Sequence, residues 1–330
     1  MFRKASRALA LGVAVIAGSL GVARADTEIN MTGFGGATNL PVWVALDKGL
    51  FKKEGLSVTL DRTQGSAPQI KDTMEGKYQF ITSAFDNIVA YTEGDGAAQY
   101  PDFDIVAILG VHSGLNSVVA RPEVKDYAAI KGKAVSVDAL TSGYATVLYQ
   151  ILADRGLTRD KEYKVISVGG TDARVKSLKD GSAAAAVISS LDDIQLQKEG
   201  YNILGDAAAA IGNYQGSVYS LRRSWAKTHD QEVMALTRAI IAAHDYVFAN
   251  REGAIEVLKK HTKGLTDQEL SELYERLTGP GGLHKGAAIN LKGVETVLKL
   301  RSIYGGGKST LMNPLKYVDL SYSERAHQEK

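Results

Sequence analysis

The chain has 330 residues, 39 Lys and Arg against 37 Asp and Glu, 45% hydrophobic residues and no cysteine. Without cysteine there are no disulfides, no thiolate metal sites, no thiol catalysis and no lipid-modified cysteine anchor. The near balance of charge argues against nucleic acid, which needs a concentrated basic patch, and the length suffices for two lobes.

The N-terminus reads as an export signal. Arg3, Lys4 and Arg7 precede an apolar run from Ala8 to Val22, and Ala23-Arg24-Ala25 is a small-x-small cleavage site before Asp26. The run falls short of the ~20 apolar residues that span a bilayer. Cleavage after Ala25 leaves 35 basic and 37 acidic residues, a net charge of −2, on a chain expected to be periplasmic and free of the membrane.

Strand and helix patterns then alternate. Ile29 to Thr32 reads as a strand, and Asn39 to Lys48 as a helix with Pro41 in its first turn and Gly49 after its end. Leu56, Val58 and Leu60 alternate as in a strand, followed by a helix over Ala67 to Glu75 and strands over Gln79 to Ser83 and Ile105 to Leu109. Val111 to Asn116 interrupts. Strands are expected at Val118 to Ala120, Ala134 to Val137, Tyr163 to Val168, Ala183 to Ile188 and Ser217 to Leu221, with helices at Gly143 to Arg155, Thr171 to Lys179 and Leu191 to Lys198. The rest is helical, with capping-box spacings at Thr228/Gln231 and Thr266/Glu269, a last helix over Asn290 to Ile303, and a loose polar tail from Ser321.

This alternation is that of an α/β protein with mostly parallel sheets flanked by helices, which bind ligands beyond the carboxyl ends of their strands. Five such corners carry small polar residues: Gly33 to Asn39, Thr82 to Asn87, Asp138 to Tyr144, Gly169 to Asp172 and Ser189 to Asp192. Ordinary capping accounts for each corner singly. As a set, their free backbone N–H groups and hydroxyls favour an anion or a polar acceptor. Phe34, Phe85 and Tyr144 sit where a flat ligand could stack, and Arg174 and Arg222 are the arginines near the lobe faces.

The run Pro41-Val42-Trp43-Val44-Ala45-Leu46-Asp47-Lys48-Gly49-Leu50-Phe51-Lys52-Lys53-Glu54-Gly55-Leu56 resembles the opening of the nitrate/sulfonate/taurine-type ABC-transporter substrate-binding proteins, a group that includes thiamine-pyrimidine-precursor binders. Gly76 to Phe80, Leu140 to Gly143 and Val175 to Ala185 fit the same pattern in order. The resemblance implies a two-lobe periplasmic binding protein of type II-like fold with its cleft between the lobes. Lobe one would be residues 26–112 plus 216–330, and lobe two residues 113–215. The implied ligand contacts are Gly35, Gly36, Thr38, Asn39, Ser83, Phe85, Asp86, Asn87, His112, Thr141, Ser142, Gly143, Tyr144, Ser189, Ser190 and Asp192. Asp86 and Asp192 set the chain apart from a plain anion site.

The implied function is capture of a small organic molecule (a sulfonate, an aromatic or other carboxylate, or a pyrimidine) by a monomer that delivers it to an ABC permease. No cofactor, metal or nucleic acid is expected. Two alternatives share the fold: an enzyme like the fungal thiamine-pyrimidine synthases, which need a cysteine-rich stretch this chain lacks, and a ligand-sensing subunit of a membrane receptor. Gly305-Gly306-Gly307-Lys308-Ser309 is not a phosphate loop, because Ser302 stands where the pattern needs glycine and a helix precedes it.

Overall fold

The computed structural model describes residues 26–305 and 310–329. The expected export signal lies outside the described residues, as do residues 306–309 of the glycine-rich run.

The first half alternates β1 (Thr27–Gly33), α1 (Leu40–Asp47), α2 (Leu50–Lys53), β2 (Leu56–Arg62), α3 (Ser66–Met74), β3 (Phe80–Ala84), α4 (Phe85–Thr92) and β4 (Ile105–His112). The middle holds β5 (Asn116–Ala120), β6 (Ala134–Val137), α5 (Gly143–Ala153), β7 (Lys164–Ser167), α6 (Thr171–Lys179), β8 (Ala185–Ser189), α7 (Asp192–Lys198), β9 (Asn202–Asp206) and α8 (Ala207–Ile211). Then come β10 (Ser217–Arg222), α9 (Arg223–Ala226), α10 (Asp230–Ala249), α11 (Arg251–His261), α12 (Asp267–Thr278), α13 (Leu291–Tyr304) and α14 (Ser321–Gln328).

The strands form two five-stranded sheets, ordered β2-β1-β3-β10-β4 and β7-β6-β8-β5-β9. The chain passes from the first to the second between His112 and Asn116, and returns between Asp206 and Ser217. The sheets are mixed, with four of the five strands in each running the same way. β1 runs parallel to β2 and β3, as β6 does to β7 and β8. The two strands that arrive from the other sheet, β5 and β10, run antiparallel to both of their neighbours. A strand entering from the other sheet starts at the end where helix-connected strands finish, so it points the opposite way.

Apolar content sets the layers. Every residue of β3 and β4 is buried, as the continuous apolar run Ile105 to Leu109 of β4 requires. One core packs the first sheet against α1, α10, α11 and α12. A second spans both sheets through α4, α5 and α13.

Three local expectations are corrected. Thr228 does not cap a helix: its hydroxyl donates to Trp225 O at 3.1 Å, and α10 starts two residues later. The tail is not loose. It forms α14, which buries Ala326, packs Tyr322 on the core and pairs Arg325 with both oxygens of Asp230 at 2.7 Å. One turn of spacing puts Tyr322 and Ala326 on a single face, a stripe too narrow to stand out in a polar segment. β9 and α8 occupy a stretch where no strand was expected. By contrast, Thr266 and Glu269 form a complete capping box.

Candidate functional site: the cleft between the sheets

The cleft is built from strand ends. Beyond β1, the Asn39 amide donates to Phe34 O at 2.6 Å and to Gly36 O at 3.2 Å, folding the glycine-rich loop back on itself. Gly36 has φ +126°, and a Cβ there would lie 3.1 Å from Ser190 O across the cleft. Glycine is needed for both reasons. Beyond β3, Asp86 in the first turn of α4 is fully buried and ion-paired to Arg301 of α13, which also donates to Thr141 O.

The second sheet supplies the facing wall. Ser142 caps α5, its Oγ accepting from Ala145 N at 3.2 Å and donating to Asp138 Oδ1. Ser66 Oγ, from the other side of the cleft, donates to Asp138 Oδ2 at 3.1 Å. Arg174 in α6 is 4% exposed. Its Nη1 donates to Val187 O and its Nη2 to Thr171 Oγ1 at 3.0 Å, while Nε is buried with no hydrogen-bond partner. Burial pushes its pKa down from the ordinary guanidinium value, against the opposing pull of Asp138 and Asp192. After β8, Leu191 has φ 96° and ψ −56°, a strained γ-turn geometry that swings the chain into α7.

Between these walls lies about 520 Å³ of empty space, part of it open to solvent. Phe34, Gly35, Thr38, Ala84, Asn87, His112 and Ser217 line it from the first sheet's side, and Asn116, Asp138, Ser142, Tyr144, Arg174 and Ser189 from the second's. His112 is 4% exposed, and its Nδ1 accepts from Gly114 N at 2.9 Å and Leu115 N at 3.2 Å. Burial, with smaller contributions from His284 and His244, lowers its pKa to about 3. The ring is therefore neutral at pH 7 with its proton on Nε2, where it can donate to a ligand. Tyr144 Oη lies 3.4 Å from Ser217 Oγ, so a hydroxyl pair bridges the two walls.

Of the residues expected from the sequence, Gly35, Thr38, Asn87, His112, Ser142, Tyr144 and Ser189 meet at this cavity. Gly36, Asn39, Ser83, Phe85, Asp86, Thr141, Gly143, Ser190 and Asp192 are not among its lining residues. Ser83 Oγ accepts from the Asn87 amide at 3.3 Å, Phe85 packs edge-on against Tyr317, and a Cβ on Gly143 would lie 2.5 Å from Asp86 Cβ. The cavity is also lined by Phe34 and Arg174, expected as a stacking platform and a lobe-face arginine, and by Ala84, Asn116, Asp138 and Ser217, which are not among the expected contacts. Arg174 had a readable signal, an arginine one helical turn after the Thr171 corner.

The walls are held together beyond the cavity. Gly170 N donates to Gln64 O at 3.3 Å, and Arg62 pairs with Asp172 at 2.7 Å. On the other flank Arg276 of α12 pairs with the buried Asp193 at 2.8 Å, and Lys198 pairs with Glu269 at 2.6 Å. These contacts bridge the two sheets on both flanks of the cavity. Among the described residues, no group of three or more His, Asp and Glu is placed to hold a metal ion, and no helix is long and apolar enough to cross a membrane.

Solved structures share this architecture. A protein of Bordetella bronchiseptica RB50 is 22% identical, with a TM-score of 0.72 over 92% of this chain and 98% of its own. The periplasmic nitrate-binding protein NrtA of Synechocystis PCC 6803 is 12% identical, with a TM-score of 0.77 over 92% of this chain and 89% of its own. The alkanesulfonate-binding protein SsuA of Xanthomonas axonopodis pv. citri, bound to MOPS, is 13% identical, with a TM-score of 0.69 over 92% and 99%. No curated protein sequence matches the chain. The fold is that of the periplasmic binding proteins. The NMT1/THI5-like family model matches residues 37–254, about two thirds of the sequence and all of the strand-end corners but the start of the first, and the chain belongs to that family.

Proposed function

We propose that this chain is the solute-binding component of an ABC importer: it captures a small organic molecule between its lobes and delivers it to a membrane permease. It works in the periplasm after removal of residues 1–25. The lobes are residues 26–112 with 216–330, and residues 113–215, hinged at the two crossings between the sheets. One observation carries the reading. The cavity takes its lining from the strand ends of both sheets, so a ligand there touches both lobes and stabilises the closed form over the open one. Its polar groups are fixed hydrogen-bonding partners, with His112 held neutral, which suits binding without chemistry.

Isothermal calorimetry against organic acids, sulfonates and pyrimidines tests it. A ligand is expected to bind with one-to-one stoichiometry, and Ser142→Ala and Asn87→Ala should each weaken it by about tenfold, the size of one lost buried hydrogen bond. Binding that ignores both substitutions would move the site elsewhere. Turnover of a bound compound would favour an enzyme.

A further inference from the structure

Two opposite charges line the cavity without neutralising each other by contact. Arg174 is nine-tenths buried, yet among the described residues it has no carboxylate within salt-bridge distance, and its Nε has no partner. Asp138 accepts from Ser66 and Ser142, which leaves two of a carboxylate's roughly four lone-pair sites open. The hydrogen bond to Val187 O holds the Arg174 guanidinium over β8. Asp138 leaves the end of β6, which pairs directly with β8 through Ser136 and Ala186. The two charges therefore lie at the ends of neighbouring strands and do not form a salt bridge with each other.

The other titratable lining groups add no charge, since His112 and Tyr144 are both neutral at pH 7. Asp192, outside the lining, also faces Arg174, and Arg62 with its partner Asp172 faces Asp192. An anion without a balancing positive group would satisfy Arg174 but place its charge beside Asp138 and Asp192. A purely cationic ligand would leave the Arg174 Nε unpaired and desolvated.

Building on the solute-binding reading, we propose that the cleft selects a zwitterion, a small organic acid carrying an ammonium group, with its acid on Arg174 and its ammonium on Asp138. Each pole makes a charge-assisted hydrogen bond, and the closed lobes bury no net charge.

The test has two arms. The purified full-length mature protein is examined by native mass spectrometry, and any carried-over compound is released and identified. Calorimetry then compares α-, β- and γ-amino acids, and any released compound, with the matching acids lacking nitrogen and amines lacking the acid. The wild type should prefer a zwitterion over its des-amino acid by at least about tenfold, the cost of losing one charge-assisted contact. Asp138→Asn keeps the shape: one of Ser66 and Ser142 still donates to the amide oxygen, and the other can accept from the new amide nitrogen. It should reduce or reverse that preference by binding the des-amino acid more tightly. A wild type that takes the plain acid equally well, or an Asp138→Asn variant with unchanged preference, overturns the zwitterion while leaving solute capture intact. A wild type that carries no compound and binds none of the panel overturns both.

Discussion

At the scale of single residues, buried histidines make the fold sensitive to acid. His244 is fully buried; its Nδ1–H donates to His284 O at 2.7 Å and its Nε2 accepts from the Tyr219 hydroxyl at 3.1 Å, which fixes the neutral form. Burial, only partly offset by the His284 carbonyl, lowers its pKa to about 4, and burial lowers that of His112 to about 3. Both values lie below the ordinary ~6.5 of an unfolded histidine. As pH falls below that value the unfolded chain binds protons that the native chain refuses. The stability from these two sites is complete above pH 6.5 and is lost as pH falls towards 4. Each contributes a slope of up to about 1.4 kcal/mol per pH unit. Urea unfolding at pH 7 and pH 5 should show the loss, and His244→Gln should reduce the slope by close to one proton. Equal stability at the two pH values would mean that these rings are not held neutral.

At the scale of elements, α12 reaches across to the second lobe. Arg276 donates to Ser117 Oγ at 2.8 Å and pairs with Asp193 at 2.8 Å and Asp206 at 3.6 Å. The Asp193 side chain is 1% exposed, so opening the lobes exchanges Arg276 for water at that carboxylate. The cluster acts as a latch on the flank away from the cavity lining. Arg276→Gln should destabilise the closed form by about 1–3 kcal/mol, the penalty for an under-satisfied buried polar group. The expected result is an increased radius of gyration in solution scattering and faster ligand release without any change at the cavity. Unchanged release would show that the latch holds no closing energy. The sequence placed α12 correctly through its capping box and apolar period. It could not show which way Arg276 points, because its partners lie 83 and 159 residues away.

At the scale of the whole molecule, one buried ion pair ties three parts together. Arg301 on α13 pairs with Asp86 on α4 and donates to the Thr141 carbonyl ahead of α5, within the core shared by both sheets. Both side chains are fully buried. Arg301→Met strands the Asp86 carboxylate and should cost about 3–5 kcal/mol. Asp86→Leu combined with Arg301→Met removes both charges and should recover most of that loss, read as a urea midpoint close to the wild type's. A double variant as unstable as the single one would show that the pair fixes geometry that apolar packing cannot replace. The pair also removes Asp86 as a free charge at the cleft. The negative charge that matters there sits instead on Asp138.

The sequence by itself determined the order of strands and helices and the polar corners at the strand ends, because hydrophobic period, turn glycines and caps act within a few residues. It also brought nine of the thirteen cavity-lining residues into view, seven as expected contacts and Phe34 and Arg174 as a stacking ring and a lobe-face arginine, since a binding group at a strand end announces itself by its neighbours in the chain. Only the tertiary structure decided the antiparallel entry of β5 and β10, the docking of α14 and the partners of Asp86 and Asp138. Those features depend on which distant segments come together. Asp86 and Arg301 are 215 positions apart, and no local pattern records that two opposite charges separated so far will be buried against each other.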